Sequence, residues 1–129
     1  MSVLIRINQK IDIETLEKAM NFTLPKPNLV MSYLNDNGIA IVCFANHLKN
    51  IDIELTIVGF GKWANRTMLK HVFNFIFNEL KCGRCTVSVK LDNTKSLKMV
   101  DKLGFKKEGY LRVIDANIYS LLKSECKYL

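Results

Sequence analysis

Asn93-Thr94-Lys95-Ser96-Leu97-Lys98-Met99-Val100-Asp101-Lys102-Leu103-Gly104-Phe105-Lys106-Lys107-Glu108-Gly109 is the stretch on which the fold turns. Asp92 or Asn93 can cap a helix here, because a short polar side chain accepts from the unpaired amides of a first helical turn. The helix runs to Leu103, and Gly104 closes it, since glycine takes the left-handed conformation of a helix stop without steric cost. Phe105 then opens a strand to residue 113, and residues 116–122 supply a last strand that pairs with it.

Upstream, residues 84–91 read as a strand through Val87 and Val89. Before them lies a long helical segment from about Trp63 to Leu80, in which Leu69, Val72, Phe73, Ile76 and Leu80 recur at helical spacing. Met68, Phe75 and Phe77 widen its apolar arc, so this helix must lie against a sheet. Gly59-Phe60-Gly61-Lys62 reads as a breaker-rich loop in front of it. Residues 51–58 alternate Ile51, Ile53, Leu55 and Ile57 with Asp52, Glu54 and Thr56, the period of a half-buried strand. Asn35-Asp36-Asn37-Gly38 is hairpin chemistry joining apolar runs at residues 28–34 and 39–45. A strand at residues 2–7 and a short amphipathic helix at residues 12–21, stopped by Pro25 and Pro27, complete the order. Strands and helices mixed this way predict an α/β (α+β) architecture, with no internal repeat and no linker that would divide residues 1–129 into more than one domain.

Composition narrows the function classes. The 129 residues are 49% hydrophobic and 24% charged, as in a globular protein with its own core. The longest apolar runs, residues 38–45 and 111–114, fall far short of the about 20 residues that cross a bilayer. Residues 1–6 lack the features of a secretory signal, which predicts a cytoplasmic address. Nineteen Lys and Arg against twelve Asp and Glu give a net charge of +7 and favour an anionic partner, whether nucleotide, phosphorylated cofactor or nucleic acid. No stripe of alternating bases and rings marks a single-strand track.

The cysteines are Cys43, Cys82, Cys85 and Cys126. Cys82 and Cys85 have dithiol spacing, yet no second pair at zinc-site spacing accompanies them, so no metal site is expected. The pair follows a helix end, where the dipole disfavours a thiolate, and buried thiols are the expected reading.

The segment from Asn93 to Gly109 resembles the signature helix and strand of the GNAT acyl-CoA-dependent N-acetyltransferases, and is most similar to those that modify the N-termini of ribosomal proteins. An Asn at the helix start, Ser96 three residues on, Asp101-Lys102, Gly104-Phe105 and Glu108-Gly109 carry the resemblance, which continues through Leu111-Arg112 to Tyr119 and Glu125. It spans about residues 51–129. The C-terminal segment from Lys123 to Leu129 also looks like small acetyltransferases of tailed phages, for which the address would be the host cytoplasm. The resemblance implies a mixed central sheet of about six to seven strands flanked by helices, with acetyl-CoA as cosubstrate. It further implies direct transfer to an amine acceptor in a ternary complex. That acceptor is a protein, peptide, small molecule or aminoacyl-RNA, and a homodimer is common in the family. A GNAT-fold binding protein weak in catalysis, or a basic nucleic-acid-binding protein, are the alternatives.

The resemblance also implies a site. The pyrophosphate loop would run through Gly59, Gly61, Lys62, Trp63, Ala64, Asn65, Arg66 and Thr67. Gly61 takes the place of the family's first glycine, Trp63 stands where the second normally does, and the leading Arg or Gln is absent. Amides at a helix start suit a diphosphate, with Lys62 and Arg66 adding charge. The backbone at Ile57 and Val58 would face the thioester carbonyl. Asn93 would contact the pantetheine arm, or act as a plain helix cap, with Ser96 on the same helix face. Lys95, Lys98 and Lys102 are spaced so that some of them line one helix face, where they would meet the adenosine phosphate or stand in solvent. Glu54 is the carboxylate best placed as general base, with Asp52 on its face; both would otherwise be ordinary strand carboxylates. Val100 occupies the place of the family's usual acidic Tyr, which leaves proton return to water, Ser96 or Tyr110.

Overall fold

The structure, a computed structural model, describes residues 3–129; Met1 and Ser2, and with them the first residue of the expected strand at 2–7, lie outside it. Strands β1 (Leu4–Ile7), β2 (Asn28–Asn35), β3 (Gly38–Leu48), β4 (Asp52–Gly61), β5 (Arg84–Lys90), β6 (Lys106–Leu111) and β7 (Ala116–Leu122) form one seven-stranded sheet in the order β1-β2-β3-β4-β5-β7-β6. All neighbours are antiparallel except β4 and β5, which run parallel. The mixed sheet and its strand number match what the sequence resemblance implies.

Three helices flank the sheet: α1 (Lys10–Met20), α2 (Arg66–Asn74) and α3 (Thr94–Leu103). The larger core, which includes Tyr33, Phe44, Ile53, Leu55, Val72, Phe73 and Leu103, fills the space under α2 and α3. On the opposite face Leu16 of α1, Leu24, Val30, Ile41 and Cys43 form a smaller cluster. Beneath α1, the buried Asp12 carboxylate accepts from Arg6 Nε at 3.0 Å and from Ser32 Oγ at 2.6 Å, which offsets the cost of withdrawing that charge from water. No helix among the described residues is long and apolar enough to cross a membrane.

Among the boundaries that depart from the sequence expectation, two have a tertiary reason. The residues expected to form a loop at Gly59-Phe60-Gly61 belong to β4, which pairs with β3 as far as Gly61 opposite Gly38. Gly59 is small because the Trp63 indole lies on it: a Cβ there would come within 1.9 Å of Nε1. Gly61 has φ +67° and passes so close to the β2–β3 turn that a Cβ would stand 2.6 Å from the Asn37 carbonyl oxygen. These glycines accommodate packing of the strand end, and the turn itself begins at Lys62, whose N–H donates to the Asn37 carbonyl at 2.9 Å. The long helix, expected from Trp63, starts at Arg66 and widens into a π-turn over Phe75–Glu79. That extra residue turns Ile76 and Phe77 fully into the core while Phe75 meets Phe44 edge-on at 5.0 Å between ring centroids.

Cys82 and Cys85 are buried, and burial first, then the Asp52 charge, pushes both thiols up, which keeps them protonated. Cys43 is pushed up to about 11, by burial and then by Glu54 and Glu17. Because a folded thiol with a raised value keeps a proton that the unfolded thiol loses, its contribution is complete below the ordinary value of 9.0 and fades as pH climbs toward 11. Urea midpoints measured across that window should fall, and Cys43→Ala should flatten part of the slope. Gly59→Ala should displace the indole and cost roughly 1–3 kcal/mol. Because Trp63 is the sole tryptophan, a red-shifted emission of the folded variant is the direct readout.

Candidate active site

The parallel pairing of β4 with β5 covers only Asp52↔Arg84 to Leu55↔Val87. Beyond it β4 continues to Gly61 on β3 alone, and β5 continues to Lys90 on β7 alone. The two strands part, and a cleft opens in the sheet along Thr56, Ile57 and Val58. Its closed end is pinned on one face by Asp52, which accepts from Arg84 Nη2 at 3.1 Å and from Thr86 Oγ1 at 2.8 Å. Backbone groups that a neighbouring strand would satisfy thus have no strand partner among the described residues along the inner edge of β4.

At the open end of β4 the chain turns through residues 62–65 into α2. Asn65 locks this turn: its Nδ2 donates to the Lys62 carbonyl at 3.0 Å, and its Oδ1 accepts from Met68 N–H at 3.1 Å. Leu69 N–H bonds the Asn65 carbonyl at 3.0 Å. Of the first-turn amides, those of Arg66 and Thr67 therefore have no acceptor among the described residues. They sit at the positive end of the helix, next to the exposed side chains of Lys62 and Arg66. Trp63 is half-buried with its ring on Gly59, and Ala64 is exposed beside the turn. The turn therefore presents two amides without an acceptor among the described residues beside two cations, donors of the kind an anion takes.

The start of α3 stands across the cleft. Asn93 Oδ1 accepts from Ser96 N–H at 3.2 Å, and the Asn93 carbonyl accepts from Leu97 N–H at 3.0 Å, so Asn93 caps the helix. Its side-chain amide nitrogen points to no acceptor among the described residues. Val100 is buried.

The two strand carboxylates have different surroundings. Asp52 is committed to Arg84 and Thr86, whereas Glu54, half-buried, accepts only from the neutral Asn46 Nδ2 at 2.7 Å. Asn46 lies at a bulge in β3 with φ 52°, and this irregularity turns its side chain onto Glu54. Sequence reasoning missed Asn46, whose only local signal is that Asn tolerates the left-handed region. It also missed Tyr119, which the β5–β7 register sets opposite Val87, the last β5 residue paired with β4; its hydroxyl accepts from Asn117 Nδ2 at 3.1 Å. Tyr110 is not brought to the cleft. It lies on the edge strand, two strand spacings or about 10 Å from β5, and its hydroxyl bonds Asp115, which with partial burial pushes the phenol up. His47 and His71 are exposed and belong to neither side of the cleft.

This arrangement, an antiparallel sheet opened at one parallel step beside an amide-rich helix start, is that of the acyl-CoA N-acyltransferase fold. Solved structures bear this out. The chain superimposes on a spermidine/spermine N-acetyltransferase, SpeG, from Vibrio cholerae with a TM-score of 0.74 at 16% identity, covering 98% of this chain and 97% of that one. It matches the N-acetyltransferase PseH of Campylobacter jejuni with a TM-score of 0.69 at 14% identity, covering 94% and 98%. No family model matches the sequence. A curated relative, the uncharacterized N-acetyltransferase p20 of Bacillus licheniformis, is 32% identical over 96 residues, which are 68% of this chain and 54% of the relative. The chain thus spans about half the length of that relative. By fold and by this relationship it belongs to the GNAT superfamily.

Asn65→Ala should remove the cap and loosen the turn at a cost of about 1 kcal/mol. A lowered urea midpoint with an unchanged far-ultraviolet spectrum is the expected result.

Proposed function

We propose that the chain is an acetyl-CoA-dependent N-acetyltransferase that passes the acetyl group directly to an amine held with the cosubstrate in one complex. The observation that carries this reading is the junction of the β4–β5 cleft with the free Arg66 and Thr67 amides. An anionic head and an extended acyl arm find donors there in the order that coenzyme A presents them. Lys62 and Arg66 add charge at the diphosphate end, the Ile57 and Val58 backbone lines the acyl end, and Asn93 and Ser96 flank the arm. Bound acetyl-CoA supplies an activated acyl group whose carbonyl carbon accepts the amine.

The protein's part is to orient the amine, accept its proton and exclude water. Glu54 is the base favoured by its surroundings. Its single neutral partner leaves the carboxylate free to take a proton, directly or through water, whereas Asp52 is neutralised by Arg84. Buried Val100 offers no acid to the departing thiolate, so protonation falls to water, to Ser96 or to Tyr119. The same valine favours one second reading, a GNAT-fold protein that binds the cosubstrate and transfers slowly or not at all.

Titration calorimetry with acetyl-CoA, coupled to an acyl-transfer assay on a panel of amines and peptides, separates these readings. Saturable binding with turnover on at least one acceptor is expected. Binding without turnover on any acceptor would favour the second reading, and no binding at millimolar acetyl-CoA would overturn both. Glu54→Gln should lower kcat by about 10²-fold or more and remove the acidic limb of the pH–rate profile, with Kd for acetyl-CoA changed less than about twofold.

A further inference from the structure

The β3–β4 ladder is regular from Gly38↔Gly61 to Ala45↔Glu54 and resumes at Leu48↔Asp52, so Asn46 and His47 together face the single residue Ile53. Neighbours in a strand point to opposite faces, and regular alternation would send the Asn46 side chain away from the face that Ala45 and Glu54 share. Asn46 instead takes φ 52°, and its Nδ2 donates to Glu54 Oε2 at 2.7 Å. The bulge thus brings one neutral donor onto one oxygen of one carboxylate.

The other groups around Glu54 are engaged elsewhere. Thr86 lies directly opposite it on β5, yet the Thr86 hydroxyl donates to Asp52 Oδ1 at 2.8 Å. Arg84 is likewise held by Asp52, at 3.1 Å. Glu17 of α1 accepts from Leu24 N–H at 2.9 Å. The Cys43 thiol, pushed up by burial first and then by Glu54 and Glu17, stays protonated. His47 is exposed, and no cation pairs with Glu54 among the described residues. Oε2 is therefore occupied, and Oε1 has no donor among the described residues.

We propose that Asn46 is a positioning residue that fixes Glu54 through Oε2 and leaves Oε1 as the atom that takes the acceptor's proton. The inference rests on the acetyl-CoA reading with Glu54 as base, and names what makes that base competent. In the transfer the amine nitrogen bonds to the acyl carbonyl carbon, and the carbon–sulfur bond breaks with its electron pair on sulfur. The N–H proton passes to Oε1, directly or through one water, and is balanced by a proton that reaches the thiolate from solvent. A carboxylate turning freely about its terminal bond presents either oxygen. A donor on one of them removes that freedom and favours the charged form that accepts the proton.

Asn46→Gly suits a positive φ and lacks the donor, so it separates the hydrogen bond from the bulge. With an acceptor that the wild-type protein acetylates, kcat should fall about fivefold to tenfold while Kd for acetyl-CoA changes less than about twofold. The acidic limb of the pH–rate profile should move to higher pH, because a carboxylate that loses a donor to its charged form holds its proton longer. Asn46→Asp tolerates the same backbone and sets a like charge against Glu54, and should move the limb further in the same direction. In a Glu54→Gln background Asn46→Gly should change kcat less than about twofold. An equal loss of kcat in both backgrounds, an unmoved acidic limb, or loss of acetyl-CoA binding in both Asn46 variants would overturn the positioning role and leave the acetyl-CoA reading standing. Saturable acetyl-CoA binding by the wild-type protein with no turnover on any acceptor would overturn the base and the role of Asn46 together.

Discussion

The short parallel contact between β4 and β5 governs everything the rest of the molecule does. Four register pairs join a left half, β1 to β4, to a right half, β5, β7 and β6. Strands twist, and two strands each committed to a different outer neighbour diverge once their own pairing stops. The Asp52–Arg84 ion pair with its Thr86 bond sits at the closed end and prevents the divergence from running the full length of the sheet. The apolar packing of Leu55 and Val87 under the helices holds the other face of the same contact. A longer pairing would seal the cleft, and a shorter one would separate the halves.

The helix starts depend on that opening. α2 can present unpaired amides only because the chain leaves β4 at a strand end anchored from the side, where Asn37 accepts from Lys62 and the Gly38–Gly61 pair closes the β3–β4 ladder. The hairpin turn of the first half therefore fixes the turn that leads into α2. α3 completes the other bank through Asn93, whose side-chain oxygen caps the helix while its amide nitrogen has no acceptor among the described residues. Capping thus occupies only the oxygen of this amide side chain, and its nitrogen remains a donor.

Local chemistry made much of this legible. The Asn35–Gly38 turn, the alternation along Ile51–Ile57 and the Asn93 to Gly104 helix are visible in residue types and spacing, and so the element order was readable. What escaped depends on partners distant in sequence. Gly59 looks like a breaker until the Trp63 ring is seen to occupy its side-chain space, and the π-turn in the long helix answers to Phe44 on another strand. The insertion of β7 between β5 and β6 has no local signal. Of the candidate carboxylates, Glu54 was preferred in sequence, but nothing local separated it from Asp52 in partners. Arg84, 32 residues away, and Asn46, at an irregularity in the neighbouring strand, set them apart.

The place of β7 also dictates an assembly sequence. Among the described residues β6 has no neighbour but β7, and β7 lies against β5, some thirty residues earlier in the chain. The β6–β7 hairpin is local and can zip in microseconds, whereas its docking must close a loop that carries all of α3. Until that docking occurs, β5 has only its four-residue contact with β4 to hold it, so the right half of the sheet condenses as a late, cooperative event. A nascent form of this protein thus exposes the bare edge of β5, the surface against which the molecule's own last hairpin must outcompete every other strand it meets.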